Sequence, residues 1–140
     1  MAGRSQIVVD SSVVVKWFSE EVKTSEALAL RNSHVEGSLS LLTTPLLVCE
    51  VANALRYKPD YDPERFDDAM SQLVKLHLDE SLIDLQLISR AGEIAFKCGV
   101  TIYDAVPVAL ATLKKTKCVT ADRDTQYTKI KPKNYPIELL

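Results

Sequence analysis

Short apolar runs alternate along this chain with longer stretches of helical periodicity, and that alternation restricts the fold more than any other feature of the sequence. Strands are expected at residues 6–9, Leu39–Thr43, Ser81–Leu85, Lys117–Thr120 and Tyr135–Leu139. Helices are expected over Val13–Phe18, Ser25–Val35, Pro45 to about Tyr57, from Asp62-Pro63 through Leu76, Gln86–Cys98 and Ile102–Lys115. A run such as Ile7-Val8-Val9 has no polar face, so it reads as a strand buried on both sides. The pattern predicts one domain over residues 1–140, in the α/β class. Its centre is a mostly parallel sheet of four to five strands, with helices on both faces.

The punctuation agrees with these elements. Ser11 or Ser12 can cap the first helix, Gly37 stops the second, and Thr44-Pro45 reads as a cap followed by proline at the first helical position. Phe66, Ala69, Met70, Leu73, Val74 and Leu76 form the inward stripe of the fourth helix. Cys49, Cys98 and Cys118 are widely separated, which argues against a disulfide framework and fits a reducing cytoplasm. His34 and His77 have no metal-ligand spacing partner and read as surface or core-edge residues. Met1 to Gln6 is too short and polar for a signal peptide, and no run approaches a membrane-spanning length.

Net charge is −2, which does not announce a nucleic-acid binder. The distribution is uneven, however. Residues 1–100 carry 10 Lys+Arg against 15 Asp+Glu, and residues 101–140 carry 7 against 4. The basic tail is either a solvated face or a rim for phosphates.

Four acids occupy positions where acids are costly. Asp10 closes Ile7-Val8-Val9, Glu50 sits in an apolar helix, Asp104 opens another, and Asp122 follows Val119-Thr120-Ala121. Asp10 and Asp122 fall at the carboxyl ends of expected strands, where open α/β sheets bind ligands. Each has competing readings. Glu50 and Asn53 share a helix face that is either solvated or turned into a polar pocket. Asp104 also fits a capping box with Thr101, and Asp122, with Asp124 two residues on, fits a turn that opens a short helix. If these carboxylates converge, they cannot all stay ionised without a cation. Oxygen-only ligands suit Mg²⁺ or Mn²⁺, which with a substrate phosphate can activate water for phosphodiester hydrolysis. There is no Walker loop, Gly-x-Gly-x-x-Gly or Gly-x-Ser-x-Gly to suggest other chemistry.

Ile7-Val8-Val9-Asp10-Ser11-Ser12, Glu50-Val51-Ala52-Asn53-Ala54-Leu55, Tyr103-Asp104-Ala105 with Ala109-Leu110-Ala111, and Val119-Thr120-Ala121-Asp122-Arg123-Asp124 resemble, in order, the four motifs of PIN-domain nucleases. The spacing is similar to that of the VapC-type toxins of VapBC toxin–antitoxin pairs. The resemblance implies a PIN-like three-layer α/β/α fold and a Mg²⁺- or Mn²⁺-dependent endoribonuclease. It places Asp10, Glu50, Asp104 and Asp122 in an acidic metal pocket, with Asp124 as a further acid and Ser12, Asn53 and Thr120 as accessory groups. It further implies an RNA substrate, a VapB-type antitoxin and a homodimer, and no membrane. Arg123, Lys129 and Lys131 are then the candidates for RNA contact. Pro107 inside a helix is expected to kink it near Asp104. Residues 24–40 match no motif and are expected to serve partner contact. Two other functions stay open: a PIN-fold module that binds RNA or protein with little catalysis, and a PIN nuclease acting on DNA or in RNA processing.

Overall fold

The computed structural model describes residues 4–140, so the reading of Met1 to Gln6 lies partly outside the described residues. Five strands, β1 (Ser5–Val9), β2 (Leu39–Thr43), β3 (Asp79–Glu80), β4 (Cys118–Thr120) and β5 (Ile137–Leu139), form one sheet in the order β3-β2-β1-β4-β5. Every pairing is parallel, with Val8 opposite Leu42 on one side and opposite Cys118 on the other. The helices are α1 (Ser11–Val14), α2 (Thr24–Glu36), α3 (Leu46–Arg56), α4 (Pro63–Lys75), α5 (Leu85–Cys98), α6 (Ile102–Leu113) and α7 (Thr128–Ile130).

The apolar runs explain the layers. Side chains alternate across a strand, so Val8, Leu42 and Cys118 enter one core with Leu87, Ile94, Val106 and Leu110 of α5 and α6. Val9, Leu41 and Val119 enter the other, with Val13, Val14, Leu47, Val51, Leu55 and Leu73 from α1, α3 and α4. Leu41, Leu42, Leu55 and Ile94 are each at most 1% exposed, and such side chains contribute about 1.5–3 kcal/mol apiece. This is the expected three-layer α/β/α arrangement with a parallel centre.

Several local expectations need correction. The third strand lies at Asp79–Glu80 rather than Ser81–Leu85, because Asp84 accepts a hydrogen bond from Leu87 N (2.9 Å) and starts α5 at Leu85. The cap of α1 is Asp10, not Ser11 or Ser12; its Oδ2 accepts from Ser12 N at 3.1 Å. Helix α3 begins at Leu46, after Pro45, without a side-chain cap. Val74 is 62% exposed and does not belong to the inward stripe of α4. Helix α6 runs through Pro107 and ends at Leu113. Gly37 stops α2 at φ +88°, a left-handed conformation that favours glycine. His34 is structural: its Nδ1 accepts from Leu41 N (3.1 Å) while Nε2 lies 3.0 Å from Leu76 O. All three cysteines are free. Among the described residues no single helix is long and apolar enough to cross a membrane.

Candidate active site

From the central strand β1 the chain turns toward β2, whereas β4 leads on toward β5, so the strand order reverses between β1 and β4. Loops diverge there and leave a crevice at the strand carboxyl ends. Asp10 follows the last residue of β1, and Asp122 stands two residues past β4. Glu50 reaches the same crevice from α3 and Asp104 from the first turn of α6. Asp10 and Glu50, with Thr43, Thr44 and Tyr103, line a cavity of about 10 Å³, the room of about one water.

The four acids act on one another electrostatically. Burial pushes the Asp10 carboxyl above its ordinary value, and the charge of Asp122 adds to that. Hydrogen bonds from Ser12 and Gln126 pull it back. Burial, then the charges of Asp10 and Asp104, push Glu50 up to about 7. Asp104 is raised by burial, Asp10 and Asp122, against the hydroxyl of Thr101 and the ammonium of Lys129. Burial and like charge act in the same direction here. Thr101 does cap α6: its Oγ1 accepts a hydrogen bond from Asp104 N at 3.1 Å.

The remaining expected residues divide. Ser12 and Thr120 stand against Asp10: Ser12 Oγ donates to Asp10 Oδ2 at 2.5 Å, and Thr120, fully buried at the end of β4, brings its Oγ1 to 3.4 Å from the same oxygen. Asp122 caps a π-helical turn over Arg123–Tyr127 by accepting from Thr125 N at 3.0 Å. Asp124 is exposed on that turn, where its carbonyl accepts from Thr128 Oγ1 (3.0 Å). Asn53 is exposed and lines a separate groove with Cys49, Ala52, Arg56 and Phe66, so it does not meet the acids. Arg123 and Lys129 are exposed; the charge of Lys129 acts on Asp104, whereas Arg123 lines a separate pocket with Lys16, Lys23 and Leu140, and Lys131 is held by its Nζ donating to Ile137 O at 3.3 Å.

The residue that sequence reasoning missed is Gln126. It is completely buried and reaches Asp10, Thr120 and Asp104 together. Its place four residues after Asp122, on the same side of a helical turn, was the available signal.

Among the described residues, no group of three or more His, Cys, Asp or Glu side chains is arranged to hold a metal ion. The donor set still suits a hard divalent cation in kind. Its acids offer only oxygen, and the raised carboxyls of Asp10, Glu50 and Asp104 carry a repulsion that positive charge would relieve.

Comparison with known proteins agrees with this fold. The profile of the PIN domain matches residues 7–131. No curated protein matches the chain. Among solved structures, VapBC2 from Rickettsia felis bound to a DNA fragment from its promoter superposes with a TM-score of 0.69 at 11% identity, covering 96% of this chain and 98% of that one. VapC20 of Mycobacterium tuberculosis, a toxin that cleaves the sarcin–ricin loop, gives 0.69 at 15% identity over 92% and 95%. DNA-bound VapBC from Salmonella typhimurium gives 0.68 at 16% identity over 96% and 98%. At these identities the likeness establishes the fold.

Proposed function

The chain belongs to the PIN-domain family, and on that premise we propose that it is a metal-dependent endoribonuclease, the toxin of a VapBC-type pair. The observation that carries the reading is the gathering of Asp10, Glu50, Asp104 and Asp122 at one crevice, with burial and mutual charge raising three of them. Carboxylates that pair with no base at such a place are poised to share a cation. Asp10, Glu50, Asp104 and Asp122 would hold Mg²⁺ or Mn²⁺, with Asp124 near the rim. The ion, when bound, supplies Lewis acidity toward a phosphate and lowers the pKa of water.

The chain's own groups have distinct tasks. Asp10, fixed by Ser12, provides a rigid carboxylate at the floor. Glu50 faces the same crevice from α3 and would share the ion with Asp10. Arg123 and Lys129 are exposed and can guide RNA phosphates past an otherwise repulsive acidic centre. Likeness to structures of VapBC pairs supports a VapB-type antitoxin as partner and a cytoplasmic setting, and the proposal adds a homodimer to them.

A second reading has one observation in its favour. Without a ready-made group of ligands, the chain could bind RNA or protein and cut little. Purified protein incubated with RNA and Mn²⁺ or Mg²⁺ separates the two. Cleavage that stops on adding chelator supports the nuclease; tight binding without any cutting would support the module.

A further inference from the structure

The hydrogen bonds around Asp10 have only one self-consistent assignment of protons. A hydroxyl carries a single proton. Ser12 Oγ spends its own on Asp10 Oδ2 (2.5 Å) and accepts from Ala121 N (2.9 Å). Thr120 Oγ1 gives its proton to Gln126 Oε1 (2.5 Å), because an amide oxygen can only accept, so its longer 3.4 Å approach to Asp10 Oδ2 carries no proton. It accepts in turn from Asp122 N (3.0 Å). The 3.2 Å approach of Ser12 Oγ and Thr120 Oγ1 then has no proton to share.

Gln126 is thereby fixed in orientation. Its Nε2 donates to Asp104 O at 2.9 Å and faces Asp10 Oδ1 at 3.4 Å. Rotating the amide by half a turn would set its oxygen against the Asp104 carbonyl and the Asp10 carboxylate, acceptor against acceptor. The side chain is fully buried, so water cannot replace these partners.

A carboxylate offers roughly four acceptor positions. Ser12 N (3.1 Å) and Ser12 Oγ take both positions on Oδ2, and Gln126 takes one on Oδ1. One acceptor position of Asp10 is left, and it is on Oδ1. We propose that Gln126 is the positioning residue of this site: its amide locks the Asp10 carboxylate so that a single Oδ1 lone pair faces the crevice, and it holds the first turn of α6, with Asp104, in register with the ends of β1 and β4. The proposal rests on the reading of the acids as a cation site. Gln126 touches neither RNA nor reacting atoms, since no part of it reaches the surface.

Gln126→Met keeps the volume and removes both donors. Mn²⁺ binding is measured by calorimetry on the purified full chain, with RNA cleavage as a second readout. The parent is expected to bind Mn²⁺. Gln126→Met is expected to lose about 10–100-fold in Mn²⁺ affinity, as removal of an outer partner of a metal ligand does. It is also expected to lose kcat with little change in KM for RNA. Gln126→Asn keeps the amide but is one methylene too short to span both partners, and should fall in between. It also serves if Gln126→Met does not fold. A folded Gln126→Met or Gln126→Asn that binds Mn²⁺ as tightly as the parent overturns the positioning role alone. A parent that binds no Mn²⁺ overturns the reading of the site, and this role with it. A loss confined to thermal stability, with Mn²⁺ affinity unchanged, also overturns the role, because a purely structural residue would behave so.

Discussion

Glu21 and Glu50 are both partly buried glutamates, one in the turn before α2 and one on α3, yet their surroundings drive them in opposite directions. Burial would raise Glu21, but Lys58 Nζ at 2.6 Å and Lys16 Nζ at 3.3 Å overcome it and hold the carboxyl below its ordinary value. Glu50 has burial and two further carboxylates, and is pushed up to about 7. The first glutamate joins elements: its cations come from the turn after α1 and from the end of α3. The second has no cation partner among the described residues. One partly buried acid is neutralised by the chain's own lysines and the other is left among like charges, which the proposed cation would relieve.

The comparison breaks most readily at Asp10. Asp10→Asn is expected to lower Mn²⁺-dependent RNA cleavage by at least about 10³-fold, a loss of the order seen when a group that stabilises developing charge is removed. Gel assays on labelled RNA measure it, and a variant that cuts like the parent removes Asp10 from the chemistry. Chelator should give a loss of similar size in the parent, and excess Mn²⁺ should restore the rate.

Glu50→Gln sharpens the contrast through stability. The folded pKa of about 7 lies above the ordinary 4.5, so the folded state binds the extra proton. Stability therefore falls as pH rises from 4.5 to 7, and the full cost is present above 7. In metal-free buffer Glu50→Gln should match the parent near pH 4 and exceed it at pH 8. The expected gain, discounted for the solvent that reaches the group, is about 1–2 kcal/mol, or roughly 3–8 °C in Tm. Equal melting curves across that range would refute the account of Glu50.

Glu21→Gln should show the reverse with a smaller amplitude. A depressed folded pKa gives stability that is present above the ordinary 4.5 and lost as pH falls through the folded value. The variant is expected to be less stable by about 0.5–1 kcal/mol at pH 7, and equal to the parent near pH 2, where the parent's Glu21 is protonated in the folded and unfolded states alike. Urea melts at the two pH values read it directly. A pH-independent loss would assign the effect to packing instead.

Much of this was legible along the chain. Four of five strands fall where the apolar runs lie, because a run without a polar face can be buried only between two layers. The third is two residues long and was displaced by a helix cap at Asp84, whose pull on Leu87 N exceeds that of a short β-run. Asp10 was legible as an uncompensated acid at a strand end. Asn53 was not: a three-residue spacing puts it on the side of α3 with Glu50, but packing against α4 decides how far each turns, and Asn53 ends in a different groove.

The sequence by itself determined the layers, the parallel sheet and the chemical kind of the site, since periodicity and the cost of a buried charge are local properties of residue and neighbour. Only the tertiary structure decided the strand order that sets β1 beside β4, and with it the crevice. It alone decided that Gln126, 116 residues from Asp10, brings its amide to the Oδ1 side of that carboxylate. That pairing depends on two strand ends and a π-helical turn meeting in space, and no local signal records where distant segments will meet.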